Sequence, residues 1–381
     1  MTEPADQADR RDAAAGHGLK LKLKDGKSSY ARVQKTINNR NINRNMMKKL
    51  ILSLLALTAM TNMQAANKYD NPDTLFVSRD GTCEFRNIAD AIEVCRAFME
   101  YHKVIFVRNG VYKEKIEVPT WLTNIEICGE DRDKTIITWD DHANIRLKGT
   151  EIKMGTFRTY TVKVTGSQIT FKNITIENNA ARLGQAVALH VEGDKCKFVN
   201  CRFLGNQDTI YTGRGGVRQF FKDCYIEGTT DFIFGPSTVW FEHCDIVNKI
   251  NSYVTAASTP KDVAYGYVFN NCTVRCLEGS EATKSNGGKA IDKCYLGRPW
   301  RPYAYTLFMN CNLGRHITPA GWHNWGNKDN ELTARYYEYN NSGEGAAKTE
   351  RAPWTRQLTK KEAKAITYGT VFGGDTAWLD D

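Results

Sequence analysis

Two short segments each place one aspartate among apolar and aromatic residues. Asp208 lies in residues 205–211 (GNQDTIY), and Asp231 lies in residues 228–235 (GTTDFIFG). A carboxylate in such surroundings is costly to desolvate unless it is paired. When two such carboxylates meet, their surroundings can push the two pKa values apart, so that one serves as acid and the other as nucleophile. The two segments therefore predict hydrolysis.

The spacing of these segments indicates how the two aspartates could meet. The interval from Gln185 to Asp208 equals the interval from Asp208 to Asp231. If this interval is one turn of a parallel solenoid, the two aspartates become neighbours, and the amides of Gln185 and Gln207 reach the same surface. Amide N–H groups are suitable donors to a developing oxyanion.

A third segment, residues 295–300 (YLGRPW), adds an arginine and a tryptophan in a turn restrained by glycine and proline. A guanidinium beside a carboxylate keeps that carboxylate ionised and oriented, which suits a nucleophile. A tryptophan is a common stacking surface for a sugar ring. We therefore add Arg298 and Trp300 to the candidate site.

A repeat along the chain predicts the elements that position these residues. Five cysteines share one frame, a polar residue, Cys, any residue and an apolar residue; they are Cys201, Cys224, Cys244, Cys272 and Cys311. Their unequal intervals fall in the range that is typical of successive turns of a solenoid. Each frame is interpreted as a strand with Val199, Cys201 and Phe203 on one face. The cysteines are then buried small apolar residues rather than disulfides or metal ligands; whether Cys83 and Cys95 pair stays open.

Both ends of the solenoid need covering. Apolar residues recur at helical spacing over residues 87–99, which predicts an amphipathic helix at the N-terminal end. Residues 103–112 are typical of a strand with a glycine turn, and residues 359–366 predict a short helix packed outside. No long helix is expected between them, and residues 67–381 are expected to form one domain.

The net charge of +9 is concentrated before residue 67, where twelve Lys and Arg face five Asp and Glu, giving +7. The remaining +2 does not favour nucleic-acid binding. Residues 46–66 combine MMKK with a short apolar run and end in small residues, as in a secretory signal peptide. Residues 1–45 are interpreted as a non-native or disordered extension. We expect export to the periplasm or out of the cell, in the bacterial style, without a stable membrane anchor.

Four segments occur in order: 185–189 (QAVAL), 207–211 (QDTIY), 231–235 (DFIFG) and 296–300 (LGRPW). Together they closely resemble the pectin methylesterase (pectinesterase) family of carbohydrate esterases, and the resemblance runs from about residue 75 to residue 378. It implies an all-β fold, a right-handed single-stranded parallel β-helix with an N-terminal capping helix and a short C-terminal helix. It also implies a monomer that hydrolyses the C6 methyl esters of homogalacturonan (pectin), in pectin catabolism or cell wall modification, without cofactor or metal.

The resemblance also implies roles for single residues. Asp231 resembles the nucleophile that forms an acyl-enzyme, and Asp208 the proton donor that later acts as general base. The remaining implied roles are oxyanion donors for Gln185 and Gln207, orientation of the nucleophile for Arg298, and substrate binding for Trp300, Thr156, Tyr211 and Phe232.

Three alternatives remain. One is a lyase or galacturonase on the same solenoid, since a fold alone does not fix function; a lyase would need an acidic Ca²⁺ site and a galacturonase more aspartates than this segment supplies. Another is a non-catalytic β-helix that binds glycans, which the presence of both aspartates and of Arg298 disfavours. The last is an esterase of the same family that acts on a different ester.

Overall fold

The computed structural model describes residues 67–346 and 349–380, and before them only residues 32, 35, 38–40 and 42–51, which are helical. The chain divides into two units, Met1–Asn67 and Lys68–Asp381. Most of the predicted extension, and residues 52–66 of the predicted signal peptide, lie outside the described residues. Within the part that is described, no helix combines the length and apolar character needed to cross a membrane.

Residues 68–346 and 349–380 are built mainly from short strands that pair in parallel and form three sheets. The first sheet has eleven strands, in the order Leu75–Val77, Lys103–Val107, Ile125–Gly129, Ile169–Lys172, Cys196–Val199, Arg218–Lys222, Thr238–Glu242, Tyr267–Asn270, Tyr305–Met309, Arg335–Tyr339 and Arg356–Gln357. The second has eight strands, Gly110–Lys113, Thr135–Trp139, Thr175–Asn178, Arg202–Leu204, Tyr225–Gly228, Asp245–Asn248, Thr273–Cys276 and Asn312–Leu313. The third has seven, Ile116–Val118, Val162–Val164, Leu189–Val191, Ile210–Thr212, Ile233–Gly235, Tyr253–Ala257 and Tyr295–Gly297. Successive turns thus add one strand to each sheet, which is the predicted parallel β-helix.

The cysteine frames lie at the corner between the first and second sheets. The polar residue of each frame adopts the left-handed backbone conformation, with φ between 50° and 55° at Asn200, Asp223, His243, Asn271 and Asn310. Asn and Asp tolerate this conformation better than most residues, which explains the polar position. The corner interrupts the alternation of side chains, so Phe198, Cys201 and Phe203 are buried whereas Val199 faces outward. The prediction that each frame is a single strand with Val199 inside is therefore wrong.

Two ladders of identical side chains run through the interior. The five frame cysteines are at most 2% exposed, and all eleven cysteines are free thiols, so Cys83 and Cys95 do not pair. Each frame thiol donates to a phenylalanine carbonyl of the preceding turn, as Cys224 Sγ does to Phe198 O at 3.3 Å. Those phenylalanines themselves form a stack, with Phe241 and Phe269 4.3 Å apart and 5° from parallel. Stacked packing of this kind fixes the register between turns.

In the described residues from 68 onward, the helices are short and lie at the ends or outside the solenoid. The N-terminal helix spans Ile88–Glu93 and buries Ile88, Ala91 and Ile92. The prediction of a helix to residue 99 is wrong, because the chain turns after Glu93 and Phe98, with φ 55°, is 71% exposed. The other helices are Gly279–Ser285, Asp329–Thr333, Lys360–Lys364 and Tyr368–Val371, with 3₁₀ turns at Thr156–Arg158 and Ala377–Leu379.

The C-terminal helices confirm the predicted short helix packed outside. Thr359 caps Lys360–Lys364 through a reciprocal pair of hydrogen bonds with Glu362. Tyr368 in the following helix packs on Trp240, with ring centroids 4.6 Å apart, on the outer face of the first sheet. The C-terminal helices thus cover the part of the first sheet around Phe220 and Trp240, while the third sheet keeps an outer face on which a site can form.

Candidate active site

Asp208 and Asp231 lie two residues before adjacent strands of the third sheet. Ile210 pairs with Ile233, so the register places Asp208 directly beside Asp231, and the predicted length of this turn is confirmed. The Asp208 N–H donates to Thr230 O at 3.1 Å. Both aspartates adopt the left-handed conformation, with φ of 67° and 51°. Aspartate tolerates this conformation, which also occurs at the cysteine corners of the solenoid.

Arg298 binds Asp231 through two parallel hydrogen bonds. Its Nε donates to Asp231 Oδ1 at 2.9 Å, and its Nη2 donates to Oδ2 at 2.7 Å. The side chains are only 18% and 7% exposed, so the pair is poorly screened by water. Asp208 differs, because its carboxyl receives no side-chain hydrogen bond from the described residues. The two carboxyls therefore occupy different electrostatic environments.

These environments separate the pKa values of the two carboxyls. Burial raises the pKa of Asp208 well above its usual range, and the negative charge of Asp231 raises it further. Burial also raises the pKa of Asp231, but the hydrogen bonds and positive charge of Arg298 oppose that rise. Asp231 therefore ionises before Asp208, as a nucleophile and an acid in one site require.

Gln185 and Gln207 lie on adjacent turns, but not in the predicted register. Leu189 pairs with Ile210, so this step along the sheet is two residues shorter than expected, and Gln185 lies opposite Asn206 rather than Asp208. The two glutamines remain close, because the Ala186 N–H donates to Gln207 O at 3.0 Å. Both side chains are half-buried, and within residues 67–346 and 349–380 neither amide has a hydrogen-bond partner. Their N–H groups are thus available to an incoming group.

An aromatic surface extends along the third sheet beside the aspartates. Tyr211 packs between Phe157 and Phe234, with centroid distances of 4.8 and 4.9 Å. Trp300 meets the edge of Phe234 at 5.9 Å. Thr156 begins the 3₁₀ turn that carries Phe157, and it is half-buried. This surface offers flat faces on which sugar rings can stack.

Phe232 does not belong to this surface. It is 0% exposed and packs within the interior cluster, because the backbone turns at Asp231, with φ 51°, before the strand Ile233–Gly235 begins. Substrate contact by Phe232 is therefore a wrong expectation. Phe234, two residues later, faces outward in its place.

Three aromatic residues near Arg298 were not identified from the sequence. Tyr253 lies on the turn after Asp231, directly beside it in the third sheet, since Ile233 pairs with Thr255 two residues further on. The Arg298 Cζ lies 3.9 Å from the Tyr253 ring centroid and 3.7 Å from that of Trp325. His323 packs against Tyr253 at 5.4 Å. Tyr253 was detectable, because it follows Asp231 at almost the same interval that separates the two aspartates.

The geometry as a whole suits attack by a carboxylate on an electrophilic carbon. Asp231, paired with Arg298, lies beside Asp208, whose pKa is raised further, and two half-buried amides lie next to them. Across the described part of the chain, no group of three or more His, Cys, Asp and Glu side chains is arranged to hold a metal ion. Such side chains can serve as an acid, a nucleophile and oxyanion donors.

Comparison with known proteins identifies relatives along most of the chain. A sequence model of the pectinesterase family matches residues 74–375. Pectinesterase 31 of Arabidopsis thaliana is 38% identical over 314 residues, which cover 80% of this chain and 94% of that protein. Probable pectinesterase 8 of the same plant is 35% identical over 327 residues, covering 81% and 77%.

Solved structures give the same result for the fold. Pectin methylesterase from carrot superposes with a TM-score of 0.72 at 32% identity, covering 81% of this chain and 95% of that one. Pectin methylesterase PemA from Erwinia chrysanthemi gives a TM-score of 0.67 at 31% identity, covering 78% and 96%. A pectin methylesterase in complex with a hexasaccharide gives 0.66 at 29% identity, with coverage of 78% and 96%.

Proposed function

Since the chain belongs to the pectinesterase family, whose sequence model matches residues 74–375, we propose that Asp231 and Asp208 perform the ester hydrolysis on the third sheet. The activity is that of a carboxylic ester hydrolase, the removal of methyl groups from pectin. The observation that carries the assignment of residues is the double hydrogen bond from Arg298 to Asp231 beside an unpaired Asp208. This asymmetry suits Asp231 to act as the nucleophile and Asp208 as the acid.

In the first half of the proposed reaction, the Asp231 carboxylate attacks the C6 carbonyl of a methyl galacturonate. Negative charge develops on the carbonyl oxygen, and the amide N–H groups of Gln185 and Gln207 stabilise it. The C–O bond to the methoxy group then breaks, and Asp208 donates its proton, so that methanol leaves. The sugar remains joined to Asp231 as a mixed anhydride, the acyl-enzyme.

In the second half, Asp208 is a carboxylate and accepts a proton from a water molecule. The hydroxide formed attacks the acyl carbon, the anhydride bond breaks, and the electron pair returns to Asp231. The product is a free galacturonic acid, which loses its remaining proton to solvent, and Asp208 is again protonated. Arg298 supports both halves by stabilising the charged form of Asp231.

The aromatic surface supports pectin as the substrate. A related pectin methylesterase has been solved with a hexasaccharide, and we infer that Trp300 and Tyr211 stack on sugar rings here, with Thr156 at the edge of the same surface. We further propose that the chain is exported through residues 46–66, that residues 67–381 are the catalytic domain, and that it acts as a monomer without a membrane anchor. Related plant pectinesterases support action on cell wall pectin.

The test measures methanol release from highly methylated pectin by the full chain, by Asp208→Asn and by Asp231→Asn. Asp231→Asn removes the charge of the nucleophile and Asp208→Asn removes the transferable proton, while both preserve shape, so both variants should fold and lose turnover. Absorbance of unsaturated products is followed in parallel. Turnover by Asp231→Asn close to that of the parent chain would contradict the role of Asp231.

The same experiment separates the alternatives. Unsaturated product without methanol would identify a lyase. A folded parent chain that releases no methanol is then assayed on acetylated pectin, where acetate release would identify a different ester as substrate. Retention of pectin without any release would indicate a binding protein.

A further inference from the structure

Arg298 is held by more than its hydrogen bonds to Asp231. Its Cζ lies 3.9 Å from the centroid of the Tyr253 ring and 3.7 Å from that of the Trp325 ring. Distances this short require stacking on the faces of the guanidinium, and two rings cannot share one face. Tyr253 and Trp325 therefore lie on opposite faces, while the edge of the guanidinium points to Asp231.

The backbone of Trp325 is constrained at this position. It adopts the left-handed conformation with φ 63°, which a bulky residue rarely adopts. Its N–H donates to His323 Nδ1 at 3.0 Å. The His323 N–H in turn donates to Gly297 O at 3.1 Å, one residue before Arg298. The loop that carries Trp325 is thus fastened next to the arginine that it covers.

The surroundings of His323 keep it able to accept this hydrogen bond. Its ring contacts Tyr253 and Tyr295, at 5.4 and 5.5 Å. Burial and the positive charge of Arg298 lower the pKa of His323. The neutral ring carries its proton on Nε2 when Nδ1 accepts, so protonation of Nδ1 would abolish the contact with Trp325.

We propose that Tyr253 and Trp325 are positioning residues that hold Arg298 between two aromatic rings, in line with Asp231, and that His323 fixes Trp325 by accepting its backbone N–H. This inference rests on the proposed role of Asp231 as nucleophile. An arginine side chain has many rotamers, and two hydrogen bonds alone leave it free to pivot with the carboxylate. Rings on both faces remove that freedom and exclude water, while leaving the donors on the edge of the guanidinium available.

The proposal predicts a specific pattern in the kinetics. With Trp325→Leu, Arg298 should hold the carboxylate of Asp231 less well, so kcat should fall about tenfold while KM stays within about twofold. The pKa of Asp231 should rise, and the acid limb of the kcat profile should move to higher pH. Asp231 is faced by Asp208 from the preceding turn, by Arg298 and Tyr253 from later turns, and by Tyr336 from the interior.

A set of matched variants tests each contact. Tyr253→Leu should resemble Trp325→Leu, and Trp325→Phe should restore most of kcat because a ring is kept. His323→Leu should lose activity in the same way, whereas His323→Asn should restore it, because the amide oxygen replaces Nδ1 as acceptor. Trp121→Leu changes a tryptophan that is 52% exposed at the N-terminal end, and it should behave as the parent chain.

The result that would overturn the proposal is a raised KM with unchanged kcat and an unchanged acid limb in Trp325→Leu. Trp325 is 37% exposed, so that outcome would make it a substrate contact instead. Failure of the proposed function gives a different pattern. In that case Asp231→Asn keeps its turnover, whereas failure of this inference alone leaves Asp231→Asn inactive and Trp325→Leu fully active. Circular dichroism and thermal unfolding of every variant exclude loss of fold as the cause.

Discussion

The interior ladders and the outer face of the third sheet both align residues of successive turns, but the interior aligns identical residues and the outer face aligns different ones. In the interior each turn repeats the same residues, so that Phe221, Phe241 and Phe269 stack with centroid distances of 4.9 and 4.3 Å. On the outer face each turn supplies a different residue, Asp208, then Asp231, then Tyr253. Repetition spreads stability over many equivalent contacts, whereas the outer face concentrates chemistry in two or three turns. Interior changes should therefore alter stability, and changes on the outer face should alter rate.

The largest expected effect belongs to the outer face. Asp231→Asn removes the nucleophile and should lower kcat by about 10⁴-fold or more, which is at least about 5.5 kcal/mol of barrier. The unfolding temperature should change little, because the amide keeps the shape of the carboxyl. Methanol release and calorimetry measure the two effects, with the exposed Asp262→Asn as control. A large drop in the stability of Asp231→Asn would show that residues of the outer face also determine stability, contrary to the comparison with the interior.

The interior counterpart is Phe241→Ala. It removes the centre of the phenylalanine stack and should destabilise the protein by about 3–5 kcal/mol. The rate per folded molecule should stay within about threefold, because the register of the third sheet is held by the other turns. Urea unfolding gives the stability, and kcat is measured well below the midpoint. Loss of kcat in fully folded protein would contradict the separation.

The oxyanion donors should have a smaller effect on rate. Gln207→Ala removes one half-buried amide and should lower kcat about 10²- to 10³-fold, or about 2.7–4 kcal/mol. KM should change less, because the charge forms only during the reaction. The control is Gln357→Ala, an exposed residue of the last strand of the first sheet. If Gln207→Ala and Gln357→Ala had equal effects on kcat, Gln207 would not be an oxyanion donor.

Asp208 sharpens the comparison, because here activity and stability should move in opposite directions. Burial raises the pKa of Asp208, so the folded protein binds this proton more tightly than the unfolded chain does. The stability that Asp208 contributes is present below its ordinary pKa and is lost as the pH rises through its raised pKa. Asp208→Asn should therefore be inactive but more stable at pH 8, by about 1–2 kcal/mol. Thermal unfolding between pH 4 and pH 8 should show that Asp208→Asn is more stable than the parent chain only near pH 8. An equal gain in stability at pH 4 and pH 8 would contradict this prediction.

The smallest expected effect belongs to the cysteine ladder. Cys244→Ala removes one buried sulfur and should cost about 1 kcal/mol, with no change in kcat. The half-buried Cys83→Ala should cost less. Urea unfolding of both variants measures the difference. A marked loss of activity in Cys244→Ala would mean that the ladder takes part in positioning the site.

The sequence predicted the repeated parts of this molecule better than the unique ones. The cysteine frames indicated a parallel solenoid because each turn repeats one packing requirement, and the spacing of Asp208 and Asp231 equals the observed register. Gln185 was expected to lie one such turn before Asp208. The observed turn between their strands is two residues shorter, because the length of a turn depends on its loops. Phe232 was expected to contact the substrate, but it lies in the interior, because the backbone turns at Asp231 in the left-handed conformation and the sequence does not reveal that corner. Trp325 and His323 have no repeat partner at all, so only the folded structure brings them to Arg298.

The uneven intervals between the cysteines have a consequence for how such a chain diversifies. The interval from Cys272 to Cys311 is nearly twice that from Cys224 to Cys244, yet each thiol still reaches the phenylalanine carbonyl of the preceding turn. The additional residues are accommodated outside the solenoid, for example in the helix Gly279–Ser285. Insertions and deletions in these loops therefore leave the inner scaffold intact. The length of a loop outside the solenoid is thus independent of the spacing between its inner ladders.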